Sequence, residues 1–183
     1  MTGAVPSDFA DLWSRDRARQ NAAYTHILAV TDEPVGWAYD VWDETVRQLA
    51  SKDNHDRAIA AQLLSNLAKS DPERRILGDF DVLFAITRDH RFVTARHGLK
   101  SLWKVGAAGD EQRALLVTAL EDRYRTCIGE KNATLIRYDI VEILRTLYDA
   151  VGDERVKAKA LELVEAEDDE KYRKKYAGLW KGR

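Results

Sequence analysis

One helical segment recurs three times along this chain, and no other feature of the sequence limits its fold as tightly. Leu64-Ser65-Asn66-Leu67-Ala68, Leu99-Lys100-Ser101-Leu102-Trp103 and Leu144-Arg145-Thr146-Leu147-Tyr148 align at offsets of 35 and 45 residues. Upstream, Ala60, Ala95 and Ile140 coincide. Downstream, Ser70-Asp71-Pro72-Glu73, Gly109-Asp110-Glu111 and Gly152-Asp153-Glu154 each open the next helix. The second offset is longer because the helix near 110–128 and its connection are extended. Each copy follows a partner helix. Helix pairs at this spacing signify an α-solenoid, whose stacked units bury a continuous core that none could bury alone.

The rest of the chain also reads as helix. Phe80, Leu83, Phe84 and Thr87 fall at i, i+3, i+4 and i+7, and Ala95, Leu99 and Leu102, with Trp103 beside them, form a similar stripe. No sustained period-two stretch bounded by turns argues for a sheet. Asp32-Glu33-Pro34, Lys52-Asp53-Asn54, Ser70-Asp71-Pro72, the segment 106–110 and Gly152-Asp153 set helix stops beside residues able to cap the next helix. Pro72 fits the first position of its helix. The expected helices lie near 7–30 (broken around Asn21), 35–51, 54–69, 73–88, 90–105, 110–128, 132–151, 153–166 and 168–181. Loops of two to five residues make neighbours antiparallel.

The 183 residues suit one domain, large enough to hold together without a disulfide or a metal. Three prolines and ten glycines are too few for a linker, a collagen or a turn-rich sandwich, and the single Cys127 excludes a disulfide framework or a multi-cysteine zinc site. No apolar run approaches the roughly 20 residues that span a bilayer. The start, Met1 to Pro6, lacks the basic and apolar regions of a signal peptide. A cytoplasmic protein that does not engage a membrane is expected.

A polar turn, a charged residue, then Ala60/Leu64/Leu67, Ala95/Leu99/Leu102 and Ile140/Leu144/Leu147 resemble the second helix of HEAT repeats. The resemblance covers roughly residues 35–166, without the proline often found in the first helix of such repeats. It implies an all-α, right-handed α-solenoid of antiparallel helix pairs of the armadillo/HEAT type. Residues 7–34 would form an N-terminal helical cap, 35–152 the HEAT-like pairs and 153–183 the C-terminal capping helices of one domain, 1–183.

Catalytic constellations are absent from the sequence. None of His26, His55, His90 and His97 lies four residues from another histidine, and no Glu precedes one by three, so di-iron and zinc-protease patterns are missing. Cys127 ends an apolar stripe with Leu116, Leu120 and Tyr124 near a helix C-terminus, where a free thiol acts as a small buried hydrophobe. Gly106 and Gly109 lack the Lys-Ser/Thr of a phosphate loop and read as helix stops. No cofactor and no metal are expected. Trp37 and Trp42 lie in an acidic stretch from Asp32 to Glu44. They fit either core packing or an exposed anchor for a protein partner.

Charge is the remaining clue. The net charge is −2, yet residues 88–104 carry Arg88, Arg91, Arg96, Lys100 and Lys104 against Asp89 alone. Residues 162–170 hold six acids, and residues 171–183 hold six bases ending at Arg183. Within the 90–105 helix, Arg96, His97, Lys100 and Lys104 share a flank beside the core stripe. The resemblance places this flank on the concave surface, with Lys69 and Arg145 at aligned positions on either side. These six residues are the expected partner-binding set. A nucleic-acid groove would repeat positive charge across the rungs, whereas Asp149 and Glu142 turn the ladder acidic, so nucleic acid is not the expected partner. The expected function is a non-catalytic binding module or scaffold for an acidic protein or peptide, not an enzyme. The alternative is a HEAT-like DNA glycosylase acting on alkylated bases, for which Trp103, Tyr138, Tyr148, Asp139 and Arg137 supply residue types but no motif.

Overall fold

The computed structural model describes residues 3–181, so Met1, Thr2, Gly182 and Arg183 lie outside it. Among the described residues there are helices and no strands. No helix is long and apolar enough to cross a membrane. The α-helices are α1 (Arg17–Val30), α2 (Ala38–Gln48), α3 (Asn54–Leu67), α4 (Arg75–Phe84), α5 (Phe92–Ser101), α6 (Trp103–Ala107), α7 (Asp110–Thr126), α8 (Ala133–Val151), α9 (Glu154–Glu165) and α10 (Glu170–Ala177). Short 3-10 turns precede α1 at Phe9–Trp13 and extend α3, α4, α7 and α10.

The chain divides into two compact units, Met1–Val105 and Gly106–Arg183. In the first, α3 packs against α1, α2 and α5, and α4 packs against α2. The core between them takes Ile27, Trp42, Ile59, Leu63, Leu64, Leu67, Ile76, Phe80, Leu83 and Leu99, each at most 7% exposed. In the second unit, α8 packs against α7, α9 and α10. Its core holds Leu116, Leu120, Ile140, Leu144, Leu147, Val156, Leu163 and Tyr176, whose hydroxyl donates to the carbonyl of Thr134 at 2.7 Å.

Helix starts follow the capping signals at several sites. The carboxylates of Asp53, Asp153 and Asp169 accept backbone N–H groups of α3, α9 and α10, quenching donors that a helix start leaves bare. Gly152 ends α8 in a left-handed conformation (φ 67°) that suits glycine. Three boundaries differ from expectation, the first being that the expected 90–105 helix is interrupted at Leu102, between α5 and α6. The first helix is continuous through Asn21 and breaks earlier, at Ser14–Asp16, because Asp16 caps α1 by accepting from Ala18 and Arg19. Pro72 does not begin α4. The Asp71 carboxylate takes the N–H groups of Arg75 and Ile76, and Arg74, left-handed at φ 58°, precedes the helix.

Polar side chains tie α1 to α3, α2 to α4 and α3 to the segment of α5, over 32 to 37 residues. Asp16, Asp53 and Asp89 precede α1, α3 and α5 at intervals of 37 and 36 residues. Arg17 at the start of α1 donates to Asp53 at 2.6 Å, and Arg57 of α3 grips both oxygens of Asp89 at 2.6 and 3.0 Å. Gln20 reaches Asp56 at 2.9 Å, Ser65 meets Ser101 at 3.0 Å, and Trp42 Nε1 donates to Asp79 at 2.8 Å.

Close packing of α5 depends on one glycine. A Cβ on Gly98 would meet Ile86 Cγ2 at 2.5 Å and Cγ1 at 2.8 Å, and Ile86 is itself buried. Gly98→Ala is therefore expected to destabilise the protein by about 1–2 kcal/mol, the clash outweighing alanine's better helix propensity. A lowered urea midpoint would show this, and an unchanged one would mean that Ile86 yields freely.

Candidate functional site

The exposed sides of α1, α3 and α5 line an open groove of about 420 Å³ in the first unit. α1 contributes Arg17, Gln20, Asn21 and Tyr24, α3 contributes His55, Ala58, Ile59 and Gln62, and α5 contributes His97. A second depression of about 220 Å³ adjoins it through His97 and is lined by Phe92, Val93, Arg96 and Lys100. Tyr24, Gln62 and His97 form a row at intervals of 38 and 35 residues. The Tyr24 hydroxyl donates to Gln62 at 3.0 Å and joins the first two helices of that row. The linings hold three permanent cations, Arg17, Arg96 and Lys100, with two histidines and no carboxylate. Asp53, at the start of α3, is bound by Arg17 and the His55 backbone N–H. Burial alone would raise its pKa, but those bonds hold it below the ordinary carboxylate value. Val93 adds an apolar contact, 67% exposed.

Of the six residues expected to bind a partner, Arg96, His97 and Lys100 come together on this face. Lys69 and Lys104 instead converge on Asp32 after α1. Lys69 Nζ donates to the Asp32 carbonyl at 2.6 Å, while Lys104 Nζ bonds the Asp32 carboxylate at 2.8 Å and Asn66 Oδ1 at 2.6 Å. Burial and the charge of Lys104 push the Lys69 pKa down. Arg145 belongs to the second unit, where Nε donates to both oxygens of Asp149 at 2.9 Å and the guanidinium lies 5.2 Å from the Trp180 ring centroid. The groove also uses residues outside the expected set: Arg17, Tyr24, His55 and Phe92. The signal for them was the same spacing of about 36 residues, extended back to α1.

The other candidates do not line this groove. Trp37 and Trp42 are core residues, 3% and 0% exposed. Cys127 is buried, and burial pushes its thiol pKa up, away from the thiolate a nucleophile needs. Asp139 is fully buried, Arg137 binds Glu167 at 2.9 Å, and the Tyr148 hydroxyl donates to Glu154 at 2.8 Å. A further depression of about 220 Å³ in the second unit, beside Arg113 and Asp153, includes none of these residues. Among the described residues, no group of three or more His, Cys, Asp or Glu is placed to hold a metal ion. In the acid-then-base tail, Glu170 pairs with Lys174 at 2.6 Å.

No family model matches the chain, and no curated protein matches it. Among solved structures it is similar to an engineered protein from the Northeast Structural Genomics Consortium, at 16% identity and a TM-score of 0.50 over 94% of this chain and 92% of the other. A second engineered protein from the same consortium matches at 18% identity and a TM-score of 0.50, over 86% of this chain and 46% of that one. At these identities the likeness concerns the helical fold alone.

Proposed function

We propose that this chain is a non-catalytic helical-repeat binding module, whose first unit is built from HEAT-like helix pairs wound right-handed. Its α1–α3–α5 face would hold an acidic protein or peptide segment. The observation that carries this reading is the lining of the groove: three permanent cations, two histidines and no carboxylate, in a chain of net charge −2. Support for the repeat comes from the aligned helices and from ties such as Arg17–Asp53 and Gln20–Asp56, both 36 residues apart. Phe92 and Val93 beside Lys100 suit a segment that sets an apolar side chain between carboxylates.

The test is titration of a labelled, glutamate-rich peptide carrying one phenylalanine. Reversing charge with Arg96→Glu and Lys100→Glu together is expected to weaken binding by about tenfold or more at moderate salt. Arg155→Glu, in the second unit and outside this groove, should leave affinity unchanged. Equal affinity in the groove variant would remove the assignment.

A further inference from the structure

We infer that this groove is a proton-linked site, gripping an acidic peptide more tightly as His55 and His97 take up protons. The inference rests on the reading of the groove as a peptide site. Both imidazoles are exposed, they come from adjacent helices, and they share one lining. The charged and titratable groups around them come from every neighbouring element. α1 supplies Arg17 and Tyr24, and α5 supplies Arg96 and Lys100. The nearby carboxylates are already engaged: Asp53 by Arg17, Asp56 by Gln20 and Ser51, and Asp89, before α5, by Arg57. Asp53, at the start of α3, faces His55 but is shared with Arg17, and no carboxylate is among the residues that line the groove itself. A ligand carboxylate seated in the groove would add counter-charge for both imidazolium groups.

The sign follows from linkage. A bound anion favours the charged imidazole, so binding takes up protons and affinity rises as pH falls through the range where histidines titrate. Glutamate side chains, with an ordinary pKa of about 4.3, stay mostly ionised at about pH 5.5, so the ligand keeps its charge over that interval. Each unit by which binding raises a histidine pKa is worth up to about tenfold in affinity.

Fluorescence anisotropy with the glutamate-rich, phenylalanine-containing peptide, at about pH 7.5 and about pH 5.5 and constant ionic strength, tests the inference. The Kd of the unmodified protein is expected to fall by about tenfold or more at the lower pH. In the double variant His55→Gln/His97→Gln the ratio of the two Kd values should shrink to about twofold or less, whatever its absolute affinity. The double variant His26→Gln/His90→Gln should keep the full ratio, because those histidines lie beside Asp8 and Asp89 and do not line the groove. Tight binding with no pH dependence, or a dependence that survives loss of His55 and His97, overturns the proton linkage and leaves the groove standing. No binding at either pH overturns the groove as a peptide site and the linkage with it.

Discussion

Trp42→Ala is expected to destabilise the protein by about 3–5 kcal/mol. The indole is fully buried between α2 and its neighbours, meets the Tyr39 ring edge-on at 5.9 Å, and lies under the Arg75 guanidinium at 5.5 Å. Truncation removes this contact area, opens a cavity and strips Asp79 of the indole N–H that donates at 2.8 Å. Trp42→Phe separates the causes. It keeps most of the ring packing and loses the hydrogen bond, so about 1–2 kcal/mol is expected. Urea denaturation of both variants measures the difference. Equal losses would mean that the Asp79 bond, and not packing, holds α2 against α4.

The next largest effect is expected at Arg57, whose replacement by alanine should cost about 3–5 kcal/mol. Its side chain is 9% exposed and that of Asp89 is 5% exposed. The guanidinium also donates to the carbonyls of Ser51 and Lys52 at 2.8 and 3.2 Å. Removing it strips a part-buried carboxylate and two carbonyls of their guanidinium donor, and the loss of the charge-assisted bonds to Asp89 dominates. Burial alone would raise the pKa of Asp89. The side-chain bonds from Arg57, joined by the Arg91 backbone N–H, hold it below the ordinary carboxylate value. A group with a depressed native pKa adds stability above its unfolded pKa and loses it as pH falls through the native value. The deficit of Arg57→Ala should therefore be largest near neutrality and should shrink below about pH 4. Urea midpoints across that interval would show it. A deficit that does not change with pH would mean that Arg57 acts through packing alone.

Much of the helical pattern was legible because burial repeats at helical spacing. Leu64, Leu99 and Leu144, aligned by sequence alone, are all at most 3% exposed. Gly152 and the aspartates before α3 and α9 mark their helix ends because the chemistry of a cap is local. What the sequence left open depended on partners far along the chain. Trp42 is buried among acidic neighbours because Asp79 meets its N–H, and Tyr39 is held by Asp71 at 2.6 Å. Lys69 and Lys104 belong to the same basic ladder as Lys100 in one dimension, yet both turn toward Asp32, which no helical period places. α1 lacks the Ala/Leu pattern of the aligned helices, so its share of the groove is hidden from the repeat. The spacing of Asp16, Asp53 and Asp89 marks it instead.

Those regularly placed aspartates also bear on how the first unit is made. The Arg17–Asp53 strut closes 36 residues and the Arg57–Asp89 strut 32, so their chain-closure entropies are nearly equal. At a synthesis rate of about 5–20 residues per second, each acid follows its arginine out of the ribosome within about two to seven seconds. The nascent chain can thus fasten α1 to α3 and then α3 to α5 in the order of translation, with Asp53 already present before Arg57 is made.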